Sequence, residues 1–203
     1  MNTGERECGK WFQRGVKRAA DIAVSALGLL VLSPLLLATA LFVRLTIPGG
    51  AVFTQTRIGW RRRPFCIYKF RTMRLDEEAE EQMDLSRDEE RMTAVGRFLR
   101  RTKIDELPQL FNVLWGDMSL VGPRPYIPGE SEGMPAERFS MRPGLTGLAQ
   151  VCGNRELSWE ERTAYDIDYC RQFSLGLDVW ILLRTLRVIV RGEKACVKRR
   201  GER

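Results

Sequence analysis

The chain begins polar and then turns apolar for a long stretch. Residues 1–20 are polar and basic, with Lys10, Arg14, Lys17 and Arg18, and Asp21 follows them. Residues 22–43 are almost wholly apolar. About 20 such residues suffice to span a bilayer. A run that is apolar on every face fits a buried core helix poorly. Ser33-Pro34 interrupts its middle; a proline there removes a helix hydrogen bond and predicts a kink. Both flanks are basic, with Lys17 and Arg18 before the run and Arg44, Arg57 and Arg61-Arg62-Arg63 after it. Basic flanks stay on the cytoplasmic side of a membrane. Kink and charge together predict a re-entrant hairpin dipping into one leaflet, in preference to a straight crossing. The run is too long for a cleaved signal peptide, and no small-residue cleavage site precedes Pro48-Gly49-Gly50.

Shorter periods follow. Val52-Phe53 to Ile58-Gly59 and Phe65 to Phe70 are apolar-rich with turn signals between them, the pattern of two short strands. In the second, Lys69 and Arg71 alternate with Tyr68 and Phe70, so a strand puts both cations on one face. Residues 92–101 read as a short amphipathic helix. Residues 105–115 read as another, with Leu107, Leu110, Phe111 and Leu114 suited to one buried face. Residues 175–190 form an amphipathic helix with basic borders. It reads equally as a core helix with a solvated face or as a helix lying on the cytoplasmic membrane surface. No internal repeat or second domain is visible. The expected fold class is α+β, mostly helical. A basic N-terminus and kinked re-entrant membrane helix occupy 1–47, and a single cytoplasmic globular domain with interfacial helices occupies 48–203.

Composition narrows the chemistry. The 203 residues carry a net charge of +7. Residues 76–90 hold nine acids and one arginine, so the remainder is more basic still, at +15. That acidic segment reads as a solvated, variable insertion. A basic body implies anionic partners: nucleic acid, anionic lipid or a phosphorylated substrate. The five cysteines are scattered without a CxxC pair, so neither a disulfide framework nor a zinc site is indicated. There is no histidine. Ser-His-Asp triads, Cys-His pairs and histidine metal ligands are thereby excluded, and acid–base work falls to carboxylates, Lys or Tyr. A metal would need oxygen ligands, which favours Mg2+ or Mn2+.

The chemistry concentrates at Arg100-Arg101-Thr102-Lys103-Ile104-Asp105-Glu106-Leu107-Pro108-Gln109 and Gly122-Pro123-Arg124-Pro125. Pro108 suits the first turn of a helix, which places Asp105 at or beside the N-cap. An Asp in that place is most often only a cap. Here cations flank it, and a carboxylate kept ionised among groups able to hold phosphate oxygens is what a phosphoryl-group nucleophile needs. Prolines on both sides restrict the backbone at Arg124, and a pre-organised guanidinium suits bidentate phosphate contact.

These motifs, with Lys17-Arg18-x-x-Asp21, Lys69-Phe70-Arg71-Thr72-Met73 and Arg142-Pro143-Gly144-Leu145-Thr146-Gly147, closely resemble the bacterial sugar transferase family, the monotopic phosphoglycosyl transferases. The resemblance runs from about Lys17 to about Arg191 and is closest to the small catalytic-core form. It implies transfer of a sugar 1-phosphate from a UDP-sugar to a polyprenyl (undecaprenyl) phosphate, releasing UMP, as the first membrane step of a glycan assembly. In that scheme Asp105 is the nucleophile and a Mg2+ ligand. Glu106 positions the metal or deprotonates the acceptor, and Lys69, Arg71, Arg100, Arg124 and Arg155 hold phosphate oxygens. Asp166 aligns near the nucleotide site. The family's Gly-Arg-Asn order stands here as Gly153-Asn154-Arg155, which shifts the arginine by one residue. The implied location is the bacterial inner membrane, facing the cytoplasm, with a homodimer left open. Two other readings stand beside this one: a non-catalytic membrane scaffold of the same fold, and a basic nucleic-acid-binding protein. The apolar run argues against the latter, and nucleic acid is not an expected partner. The sugar is not readable from the sequence.

Overall fold

The computed structural model describes residues 3–75, 88–153 and 156–191. Most of the acidic segment, and Arg155, lie outside them. One helix, α1 (Thr3–Thr46), contains the whole apolar run and extends beyond both its ends, with Pro34 inside it. Proline gives no N–H to the Leu30 carbonyl one turn back; the Ser33 hydroxyl donates to that carbonyl at 2.7 Å instead. The Ser-Pro pair therefore satisfies its own backbone, as hydrocarbon surroundings require.

α1 is turned inside out relative to a helix of a water-soluble domain. Leu27, Leu30, Val31, Leu37, Leu41 and Leu45 are all exposed, whereas Lys17, Asp21, Ser25 and Thr39 are buried. Lys17, Asp21 and Ser25 are four residues apart and Thr39 lies two heptads further on, so they form one stripe. Each of the first cations and acids in that stripe has a distant partner. Lys17 Nζ pairs with Asp178 Oδ2 at 2.6 Å, and the Tyr169 hydroxyl donates to Asp178 Oδ1 at 2.7 Å. Arg18 donates to the carbonyls of Val113 and Leu114 at 2.6 and 2.8 Å. Asp21 Oδ1 accepts the Leu120 N–H at 3.0 Å. At the far end of the run, Val43 and Ile47 bury against Phe70 and Leu99.

The body is a string of short elements. β1 (Val52–Ile58) and β2 (Pro64–Phe70) form the expected hairpin, antiparallel, with Phe53 opposite Lys69. Helices α2 (Asp88–Arg91) and α3 (Ala94–Thr102) follow, the latter capped by the Thr93 side chain. In α3, Gly96 lies so close to the β2 exit that a Cβ would stand 1.8 Å from the Thr72 carbonyl oxygen. Then come α4 (Gln109–Trp115), β3 (Ser119–Val121), β4 (Gly144–Thr146) and α5 (Leu148–Val151), with β3 and β4 paired in parallel. α6 (Trp159–Gln172) starts at a Ser158/Glu161 capping box and leads into α7 (Leu175–Arg191). Tyr169 of α6, Phe173 in the link and Ile181 of α7 pack with Val121, Met141 and Val151 in the principal core.

α7 thus buries one side in the core, and its other side is largely apolar as well: Val179, Leu183, Leu186, Ile189 and Val190 are exposed. Phe98 of α3 and Phe111 and Trp115 of α4 are exposed too. Apolar surface on α1, α3, α4 and α7 is far more than single scattered residues would give.

Removing Lys17 leaves the Asp178 carboxylate buried without its cation. Lys17→Met is therefore expected to destabilise the fold by about 3–5 kcal/mol, read as a lowered unfolding midpoint in detergent.

Candidate active site

The dyad is built by a broken helix. Lys103 ends α3 in the left-handed region (φ 60°), and Ile104–Glu106 then make one 3-10 turn before α4 begins at Gln109. The expected single helix over 105–115 with Asp105 as its cap is thus corrected. Pro108 has no N–H to continue the pattern upstream, and α4 has no side-chain cap. Asp105 lies inside the 3-10 turn, 6% exposed. Glu106 beside it faces β2, where Lys69 Nζ meets its Oε1 at 2.9 Å.

The two carboxyls are driven apart in acidity. Burial, then the neighbouring Glu106 charge, pushes Asp105 above its ordinary value, while Lys69, Arg100 and Lys103 pull the other way. Burial also opposes the Glu106 charge, but Lys69, Arg124 and Lys103 outweigh it and hold Glu106 below the usual range. Opposite shifts in adjacent carboxyls are a mark of functional sites.

A cleft opens beside Glu106, walled by Arg57, Lys69, Gln109, Arg124 and Gln150. Burial and the like charge of Arg124 bring the Arg57 guanidinium down to about 10. Two guanidiniums and an ammonium around one concavity, with Glu106 as the carboxylate among them, suit an anion with several oxygens. Arg57, Gln109 and Gln150 were not picked out as site residues from the sequence. Arg57 read there only as flanking charge. Gln150 carried one signal, a lone amide in the apolar segment Leu148–Val151; its buried Oε1 has no hydrogen-bond partner.

The other expected residues divide. Arg124 lines the cleft. Arg100 donates from Nε to Thr72 Oγ1 at 3.1 Å and stands near enough to Asp105 to affect its charge. Arg71 shares the strand face of Lys69, but its guanidinium lies over the Phe53 ring and beside Gly49, outside the cleft lining. Asp166 is fully buried and receives Arg138 at 3.0 Å (Nε) and 2.7 Å (Nη2). Burial pushes it up to about 6, against the pull of Arg138 and of the Arg124 backbone. Arg138 also donates to the Arg124 carbonyl. Asp166 thus acts behind the cleft, holding the Gly122-Pro123-Arg124-Pro125 turn through Arg138, which the sequence reading did not single out.

The donor set fits a hard divalent cation. Asp105 Oδ1 is buried and accepts no hydrogen bond, with a second carboxylate adjacent. Among the described residues no group of three ligating side chains forms. One or two carboxylates completed by substrate phosphates is the usual Mg2+ arrangement.

A pKa raised on folding means that the native state keeps its proton to higher pH than the unfolded chain. Stability therefore falls as pH rises from the unfolded-state value to the folded-state value, and stays lowered above it. Asp105→Asn is expected to flatten that part of the profile. It should raise stability at neutral pH by roughly 0.5–2 kcal/mol, measured by denaturant unfolding between about pH 4 and pH 8.

Known proteins resemble the chain over most of its length. The family model described as "Bacterial sugar transferase" matches residues 12–192. A UDP-glucose:undecaprenyl-phosphate glucose-1-phosphate transferase of Caulobacter vibrioides is 45% identical over 191 residues, covering 88% of this chain and 71% of that protein. The sugar transferase EpsL of Bacillus subtilis, itself uncharacterised, is 42% identical over 182 residues, with 88% and 89% covered. A UDP-N-acetylgalactosamine-undecaprenyl-phosphate N-acetylgalactosaminephosphotransferase of Aeromonas hydrophila is 39% identical over 186 residues; the match covers 87% of this chain and 44% of that protein. The motifs around Asp105 and Arg124 lie within the matched span, and the chain belongs to the bacterial sugar transferase family.

Proposed function

We propose that the chain transfers a sugar 1-phosphate from a UDP-sugar to a polyprenyl phosphate through a covalent intermediate on Asp105. The observation that carries this is the buried Asp105 carboxylate, one oxygen unpartnered, next in sequence to Glu106, which lines a cleft with Arg57, Lys69 and Arg124. An Asp105 oxygen attacks the sugar-proximal phosphorus. The bond from that phosphorus to the bridging oxygen breaks, and UMP leaves with the electron pair. A phosphate oxygen of the polyprenyl phosphate then attacks the same phosphorus and expels the carboxylate, giving the polyprenyl diphosphosugar. Two in-line displacements at one small site suit a water-borne donor and a lipid-borne acceptor that need never be bound together.

Phosphoryl transfer asks for positioning and charge stabilisation more than for proton transfer. Lys69, Arg57 and Arg124 supply fixed positive charge where oxygens gather it in the transition state. Glu106, held acidic by Lys69, is a poor proton acceptor at neutral pH. A phosphate monoester with a second pKa of about 6 is already largely ionised there. Glu106 therefore serves to hold Lys69 and to share a cation with Asp105. Mg2+ or Mn2+ bound at Asp105 would neutralise diphosphate charge and ease departure of UMP.

The contacts of α1 support the membrane placement. Lys17 and Asp21 at one end of its apolar run, and Val43 and Ile47 at the other, all dock on the same body. A straight crossing would leave one of those contact sets across the bilayer from the body. The docking supports a re-entrant helix with both ends on the basic, cytoplasmic side, and the exposed apolar faces of α4, which follows the dyad, and of α7 then lie at the interface.

The test is UMP release from a panel including UDP-glucose and UDP-N-acetylgalactosamine, with undecaprenyl phosphate and Mg2+. Wild type is expected to turn over at least one donor. Asp105→Asn should lose at least about 10³-fold and Arg124→Ala about 10²-fold. Equal rates for Asp105→Asn would reduce Asp105 to a structural residue.

A further inference from the structure

A second cleft lies where α1 meets the body, one turn before the apolar run of α1 begins and across the β3–β4 pair from the first. Arg14, Lys17, Arg18, Asp21, Trp60, Ser119 and Arg142 are among the residues that wall it. It shares no lining residue with the dyad cleft.

Several of these groups are already committed. Lys17 is neutralised by Asp178, the Arg18 Nη groups cap the end of α4, and Asp21 accepts a β3 N–H. Arg142 gives only its Nε, to the Gly116 carbonyl at 2.7 Å, and its guanidinium lies over the Trp60 ring at 4.8 Å. Among the described residues nothing accepts from its Nη groups. Arg14 is exposed and likewise donates to no described residue. Three arginines against a single carboxylate leave a positive excess. Burial and the like charge of Arg18 lower the Arg142 pKa, against the opposing pull of Asp21 and Asp117. The decisive group is Ser119. It is 1% exposed, it lines this cleft, and its hydroxyl has no hydrogen-bond partner. A buried hydroxyl left unsatisfied is destabilising unless a ligand completes it.

We propose that this cleft binds the phosphate of a membrane phospholipid headgroup, held by Arg14, the Nη groups of Arg142 and the Ser119 hydroxyl. A lipid is favoured over a free anion by place. The cleft adjoins Ile22, where the apolar run starts, and the exposed Phe12 and Val16 of the same helix flank it with surface suited to acyl chains. Trp60 has the amphipathic ring that sits at headgroup level. The bound headgroup would fix the depth of α1 and hence the height of the dyad above the bilayer. The proposal rests on the membrane placement of α1 and not on the transfer chemistry.

The experiment uses the full chain in a phosphate-free, uncharged detergent. Binding of phosphatidylglycerol, of diacylglycerol with the same acyl chains, and of inorganic phosphate is followed by native mass spectrometry and tryptophan fluorescence. Phosphatidylglycerol is expected to saturate one site and to exceed both diacylglycerol and inorganic phosphate. Arg14→Gln, Arg142→Gln and Ser119→Ala should each weaken it, the arginines by about tenfold or more, and Arg14→Lys should keep most of the affinity. Arg14 is exposed and unbonded, so its variants test the site even where Arg142→Gln perturbs the fold. UMP release by Arg14→Gln in detergent is expected to match wild type, which separates this site from the dyad. Equal binding of diacylglycerol, or Arg14→Gln affinity within about twofold of wild type, would overturn the proposal. Inorganic phosphate binding as tightly as the lipid would assign the cleft to a free anion instead.

Discussion

The architecture depends on three polar side chains on one helix stripe. α1 exposes leucines and buries Lys17, Arg18 and Asp21 to different degrees, and each reaches a separate part of the body: α7, the end of α4, and β3. In water such a helix would be unstable against its own exterior. In hydrocarbon the arrangement is consistent, because the apolar face meets lipid and the charges are paired away from it. The Arg18 contacts also terminate α4, the helix that follows the dyad. The membrane anchor and the reactive turn are therefore joined by the Arg18 guanidinium and by the packing of Val43 and Ile47 with Leu99 and Ile104.

At the dyad, electrostatics separates two chemically similar groups. Asp105 has burial and a like charge against it and one oxygen without a partner; Glu106 has Lys69 at 2.9 Å. The first is a carboxylate held at some expense of stability, the second a carboxylate at rest. The strained member suits the attacking role and the satisfied member the supporting one. Behind them, Asp166 and Arg138 form a buried pair whose contacts run to the backbone of Arg124, so the aim of that guanidinium is set from the protein interior.

Much of this could be read in the chain. The apolar run follows from its unbroken length, the hairpin and the last helix from periodicities of 2 and 3.6, and the dyad from its cations. The remainder needed contacts distant in sequence. Lys17 and Arg18 read as a basic flank because their partners lie 161 and 95 residues away. Asp105 read as a helix cap because local propensity does not reveal that Lys103 adopts a left-handed conformation and splits the helix. Arg57 read as another flanking cation, since only the β1–β2 pairing and the Ile58–Tyr126 bridge bring it to Lys69 and Arg124. The β3–β4 pair escaped notice because two three-residue strands leave no period to detect.

The most direct test of the account is intact-protein mass spectrometry of the full chain after exposure to a UDP-sugar substrate and Mg2+ without the polyprenyl phosphate. Wild type should gain the mass of one sugar phosphate, mapped to Asp105 and discharged on adding polyprenyl phosphate, and Asp105→Asn should gain none. UMP formation by wild type with no adduct, or an adduct on another residue, would contradict it.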